Sequence, residues 1–122
     1  EAWERAVSVF GAGQVSTYVI LGMGEDPELT VAGCRRAVDM GVYPFVVPLR
    51  PVAGSLMEGV RPPDVAYTQD IYKQVAAYMA EKGMTGEDAK AGCARCQGCS
   101  AINPTQRALH LGMPRLRDSL TA

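Results

Sequence analysis

Two apolar runs constrain this chain more than anything else in it. Gln14–Leu21 (QVSTYVIL) and Val42–Pro48 (VYPFVVP) are dense in β-branched and aromatic residues and have the length of buried strands. Between them lies Gly22-Met23-Gly24-Glu25, a short loop, and then a helix with clear end signals. Asp26 suits the N-cap, Pro27 the first helical position and Glu28 the first turn. The helix is expected to run to about Met40, where Gly41 stops it. Two strands joined through such a helix pair in parallel with a right-handed crossover. The expected fold class is therefore α/β, built on one βαβ unit.

The flanking segments extend this reading. Ala2, Trp3, Ala6, Val7 and Phe10 recur at helical spacing, so Glu1–Phe10 reads as a helix end with Trp3 as an anchor. A loop marked by prolines and glycines runs from Leu49 to Pro63. Asp64 then caps a long helix to about Lys82, closed by Gly83, with Tyr67, Ile71, Val75 and Tyr78 as its core-facing stripe. Thr85 caps a short helical turn with Asp88 in the capping-box position. Residues 103–122 read as a weakly patterned tail. The expected division is 1–83 for the α/β portion and 84–122 for a cysteine-rich extension and tail. A two-stranded parallel sheet needs helices on its faces and strands at its edges. A complete (β/α)₈ barrel needs roughly 200 residues or more, and this chain has 122. It reads as a piece of a larger α/β sheet or barrel. Its natural partners would be the missing amino-terminal part or another copy of the chain.

Composition narrows the function classes. At 48% hydrophobic and 20% charged residues the chain is ordinary globular material, which excludes a disordered or coiled-coil protein. Twelve basic and thirteen acidic side chains give a net charge of −1. That is no footprint of a nucleic-acid binder. No apolar run approaches the length of a membrane helix, and no signal peptide opens the chain, so the expectation is a cytoplasmic protein without a membrane partner.

The cysteines point to chemistry. Cys93, Cys96 and Cys99 lie within seven residues, and Cys34 is far away. Tight Cys-x-x-Cys-x-x-Cys spacing suits metal or redox chemistry better than disulfide stapling. It matches the first three positions of the ferredoxin run; Asn103 takes the place of the fourth cysteine, and Pro104 follows as in that motif. Three thiolates there could hold a 4Fe-4S cluster with one iron open to another ligand, such as a substrate, Cys34 or His110. Zinc and unligated redox-active thiols are the alternatives. Cys34, between Ala32 and Ala37 on a helix, reads first as a small core residue, and His110 as an exposed one.

A second candidate site lies where the strands end. Parallel strands put the Gly22–Asp26 loop and the Leu49–Ser55 loop on one rim, where ligands bind in open sheets and barrels. Gly22 and Gly24 would let a ligand approach the backbone, and the following helix points its amide dipole at that rim. They could equally do no more than make a tight turn. No dinucleotide fingerprint is present, because Pro27 occupies the place of the third glycine. Arg50, between Leu49 and Pro51 just past a strand end, could meet a ligand carboxylate or phosphate.

These residues resemble a known family. Tyr18-Val19-Ile20-Leu21-Gly22-Met23-Gly24-Glu25 is similar to the GxIxGxxE motif on the fifth barrel strand of radical S-adenosylmethionine enzymes. Val47–Leu56 (VPLRPVAGSL) resembles their sixth strand and its loop, which reads VPxxPxxGTPL in the biotin synthase-like branch. Within that branch the chain resembles an uncharacterised subgroup associated with nitrilase gene clusters. The resemblance covers roughly residues 1–83 and implies the carboxy-terminal part of a (β/α) barrel. It implies two cofactors, S-adenosylmethionine and a 4Fe-4S cluster, and a 5′-deoxyadenosyl radical acting on a small-molecule substrate. By resemblance, Ile20, Gly22, Gly24 and Glu25 would line the adenine and methionine side of S-adenosylmethionine. Val47, Pro48 and Leu49 would pack on the adenine, and Arg50 would reach a substrate or cofactor carboxylate. Two departures stand out. Tyr18 occupies the first glycine position of GxIxGxxE, and the CxxxCxxC loop that holds the radical-generating cluster is not in these 122 residues. Cys93, Cys96 and Cys99 would then be an auxiliary cluster site, and the chain alone would be inactive. The competing expectation is a ferredoxin-like iron–sulfur or zinc-binding module without enzymatic activity.

Overall fold

A computed structural model describes residues 1–110; the part of the expected tail that spans 111–122 lies outside the described residues. The order of elements is α1 (Ala2–Phe10), β1 (Val15–Leu21), α2 (Pro27–Asp39), β2 (Val42–Pro48), α3 (Val65–Glu81), a single 3₁₀ turn (Gly86–Asp88), α4 (Gly92–Cys96) and α5 (Ile102–His110). β1 and β2 form a parallel two-stranded sheet, in register from Val15 opposite Val42 to Leu21 opposite Pro48. The α/β class and the βαβ unit are as expected. No helix among the described residues is long and apolar enough to cross a membrane.

The local signals explain most of these boundaries. Asp26 caps α2 by accepting from the Leu29 amide at 3.1 Å, with Pro27 as the first helical residue. Gly41, at φ 83°, makes the turn from α2 into β2. Asp64 precedes α3 as expected but makes no side-chain cap bond. Thr85 accepts from the Glu87 amide at 3.1 Å.

One core joins the two segments of the chain. Val31, Cys34 and Val38 of α2 and Ile71, Val75 and Met79 of α3 pack with Leu21, Phe45 and Val46 of the sheet, and Ala89, Ala94 and Ile102 from the cysteine-rich segment belong to the same cluster. Two expectations fail here. The region from 103 is not a weakly patterned tail throughout, because α5 continues to His110 and packs along α3. Ile102 is its one fully buried residue, and Pro104 in its first turn reads as a breaker in the sequence. Trp3 is not a core anchor either: α1 buries no residue, and Val9 and Phe10 stay about two-thirds exposed.

The two sheet edges differ. Leu49 donates to the Leu21 carbonyl at 2.8 Å, so in a parallel ladder alternate β2 residues turn their backbone groups outward, Pro44, Val46 and Pro48 among them. Prolines there cannot donate to a further strand. The outward Val46 carbonyl is instead capped twice, by Tyr72 Oη of α3 at 3.0 Å and by Ser100 Oγ at 2.7 Å. The chain itself thus covers the β2 edge at this point. On β1 the outward backbone groups belong to Ser16, Tyr18 and Ile20, and no described backbone group pairs with them.

The double cap predicts non-additive energetics. Tyr72→Phe and Ser100→Ala each cost about 1 kcal/mol of stability. The double variant should lose more than the two losses added together, because only then is the fully buried Val46 carbonyl without a partner. Urea denaturation of the four proteins measures this, and strict additivity would contradict it.

Candidate functional site

The two loops expected to share a rim do so. Leu21 pairs with Pro48 at the last rung of the sheet, and the Leu49 amide bonds the Leu21 carbonyl. Gly22 and Gly24 take φ 100° and 85°, so both turns need glycine. Gly22 is tightly enclosed: a Cβ there would lie 2.8 Å from Pro63 Cδ and 3.4 Å from Leu49 Cβ. Gly24 is open, with nothing within 4 Å of an added Cβ. Gly22 is thus a packing glycine, and Gly24 is the one a ligand could approach.

Glu25 holds this loop. Its carboxylate accepts from the Gly22 amide at 2.9 and 3.0 Å, from the Met23 amide at 2.8 Å and from Tyr67 Oη of α3 at 2.5 Å. Burial alone would raise the Glu25 pKa, but the Tyr67 hydroxyl and the backbone amides outweigh it and bring it down to about 2. Tyr67 responds in the other direction: burial, then the Glu25 bond and charge, push it up to about 12. Glu25 thus faces inward onto its own loop with its oxygens engaged. Sequence reasoning missed Tyr67 as part of this site because its spacing on α3 is that of a core stripe.

Pro48, Leu49 and Arg50 line a cavity of about 630 Å³ whose walls include α3 and α5 but none of Gly22, Gly24 or Glu25. Pro63 stands between, touching the Gly22 position on one side and lining the cavity on the other. Ile20 and Val47 lie across from each other on the sheet, Ile20 on its exposed face at 42% accessibility and Val47 partly buried.

Cys93 lies against Tyr18. On that same face Tyr18 stacks edge-on against Phe45, with ring centroids 5.1 Å apart, and donates its hydroxyl to Cys93 Sγ at 2.6 Å. The Tyr18 pKa is raised by the Cys93 bond first, then by burial and by the nearby Cys93, Cys99 and Cys96 thiols. Cys93, Cys96 and Cys99 are all free and exposed. Among the described residues no three His, Cys, Asp or Glu side chains come together closely enough to hold a metal ion. As placed, the three thiols do not fit a cluster or a zinc ion. Asn103, at the fourth ferredoxin position, turns its amide to Gly86 (3.0 Å from an added Cβ there), with Oδ1 buried and unpartnered. Cys34 is buried in the core with its thiol pushed up to about 11 by burial, and His110 is exposed at the end of α5.

The chain is 34% identical over 77 residues to the bacteriochlorophyllide c C-7(1)-hydroxylase of Chlorobaculum limnaeum. The match covers 62% of this chain and 19% of the hydroxylase, so the chain spans about a fifth of that relative. No family model and no solved structure matches the chain.

The loop chemistry predicts two outcomes. Gly22→Ala should cost about 2 kcal/mol or more, since it combines an unfavourable φ with a clash against proline. Glu25→Gln should destabilise by roughly 1–3 kcal/mol at neutral pH. The folded Glu25 pKa lies below its ordinary value of 4.5. Its contribution is therefore complete above pH 4.5 and lost as pH falls toward 2. The stability gap between wild type and Glu25→Gln should narrow over that interval in denaturation curves. A gap of constant size across it would refute the assignment.

Proposed function

We propose that this chain is the carboxy-terminal barrel portion of a radical S-adenosylmethionine enzyme, and that its strand-end rim holds part of the S-adenosylmethionine site. One observation carries the reading: the GxIxGxxE-like turn and the VPxxP-like strand end lie side by side on one rim, Leu21 opposite Pro48. The similarity to a hydroxylase of the radical S-adenosylmethionine class supports the same superfamily. The open β1 edge supports it too, because a barrel would place its preceding strand there. In an enzyme of this class, cluster-bound S-adenosylmethionine supplies a 5′-deoxyadenosyl radical.

The roles of this chain's residues follow from their placement. Gly24, with open space in front of it, offers backbone to the methionine or adenine side. Ile20 and Val47 offer apolar surface on the sheet face, and Pro48 and Leu49 form the rim that an adenine would stack on. Glu25 is a positioning residue: bonded to two loop amides and Tyr67, it fixes the turn and leaves Gly24 presented. Arg50, exposed past the strand end, would meet a carboxylate. The ferredoxin-like or zinc module has only the spacing of Cys93, Cys96 and Cys99 in its support.

Two measurements test the proposal. Calorimetric titration of the chain with S-adenosylmethionine should show binding that Gly24→Val weakens at least tenfold. After anaerobic iron–sulfide treatment with reductant, the chain should form no 5′-deoxyadenosine, since its sequence has no CxxxCxxC loop. Absence of S-adenosylmethionine binding, together with retained visible absorbance after desalting, would favour the iron–sulfur module instead.

A further inference from the structure

From the cavity between β2, α3 and α5 we infer a second site, for an amphipathic carboxylic acid: an apolar body with one anionic head. The cavity measures about 630 Å³, within the usual range for small-molecule sites. Its described walls are largely apolar, with Pro48, Pro51, Pro63, Val65 and Ala108 among them. Two cations, Arg50 and Lys73, also line it, and no carboxylate does among the described residues. Neither has an ion-pair or hydrogen-bond partner among those residues.

The charge pattern selects the ligand. Lys73 is half-buried on α3, and its ammonium has no anion beside it among the described residues. Arg50 lines the cavity from beyond the end of β2, and its guanidinium can grip a carboxylate with two parallel bonds. A neutral apolar molecule would leave both cations unsatisfied, and a small inorganic anion would leave the apolar wall wet. A molecule that joins an alkyl or ring body to a carboxylate satisfies both. Gln69, also on the wall, can donate a further hydrogen bond to the head group, whereas the Thr68 and Thr105 hydroxyls already donate to the Asp64 and Ala101 carbonyls. This site borders the proposed S-adenosylmethionine rim and shares Pro48, Leu49 and Arg50 with it. Gly22, Gly24 and Glu25 take no part in the cavity, and Pro63 stands between it and the Gly22 turn.

The test uses the full chain with decanoate as the probe and decanol as its neutral counterpart, followed by calorimetry. Decanoate should bind at one saturable site, and decanol at least tenfold more weakly. Lys73→Gln combined with Arg50→Gln should weaken decanoate about tenfold or more and leave decanol unchanged. Ala108→Trp, which fills the cavity from α5, should abolish decanoate binding while S-adenosylmethionine binding persists. That last comparison separates the failure of this site from failure of the rim, and circular dichroism confirms that the variant is folded. Equal affinity for decanoate and decanol, non-saturating uptake, or full affinity in Ala108→Trp would each overturn the inference.

Discussion

A parallel strand pair cannot close on itself through a tight turn, and the rest of this chain follows from that constraint. The return from β1 to β2 must pass through α2, and the crossover leaves the carboxyl ends of both strands on one rim. Everything of functional interest then gathers where Leu21 meets Pro48. The loop after β1 turns there on two left-handed glycines. The chain after β2 leaves as a proline-marked loop with no regular structure until Val65. α3 returns from that loop and lays Tyr67 against the first turn and Tyr72 against the strand edge. A single helix thus secures both the rim and the sheet.

The rim is rigid on one side and accessible on the other because of one carboxylate. Loop amides at a strand end usually look to water or ligand for a partner. Glu25 supplies that partner internally and is itself held by Tyr67. A ligand at this rim therefore meets a formed turn, with Gly24 as its open point and no ordering cost at Gly22 or Met23. The same carboxylate is unsuited to acid–base work near neutrality, since its pKa lies far below. Its part is to shape the turn.

Local signals in the sequence were enough for the elements that carry their own punctuation. Both strands and α2 were legible from β-branched runs, Asp26, Pro27 and Gly41, and their ends fall within a residue of expectation. α5 was not legible, because Pro104 in its first turn reads as a breaker and only contact with α3 shows that the helix continues past it. The bond between Tyr67 and Glu25 spans 42 positions, and no local period reports a pairing at that distance. Tyr18 read as a missing glycine. The structure gives it a different identity, an exposed-face aromatic bonded to Cys93 and stacked on Phe45. Asn103 read as a lost ligand, whereas its amide is turned inward to Gly86. Motif spacing sees order along the chain, and it is the folding of α4 and α5 that decides which way each of these side chains turns.

The unequal edges of the sheet are the physical feature most in keeping with the proposed barrel portion. An edge that ends a sheet is usually blunted, and β2 shows how: prolines at outward positions, a carbonyl capped by two hydroxyls, and a helical segment laid alongside. Among the described residues β1 shows none of these devices. Its outward groups at Ser16, Tyr18 and Ile20 have no backbone partner among the described residues, and Tyr18 and Ile20 are 56% and 42% exposed. The amino-terminal helix α1, which leads into this strand, also keeps Val9 and Phe10 in solvent. Unblunted edge, exposed sheet face and uncovered helix all lie on the amino-terminal side of the βαβ unit. Protection at one edge and exposure at the other is what a sheet shows when strands are to be added on one side only.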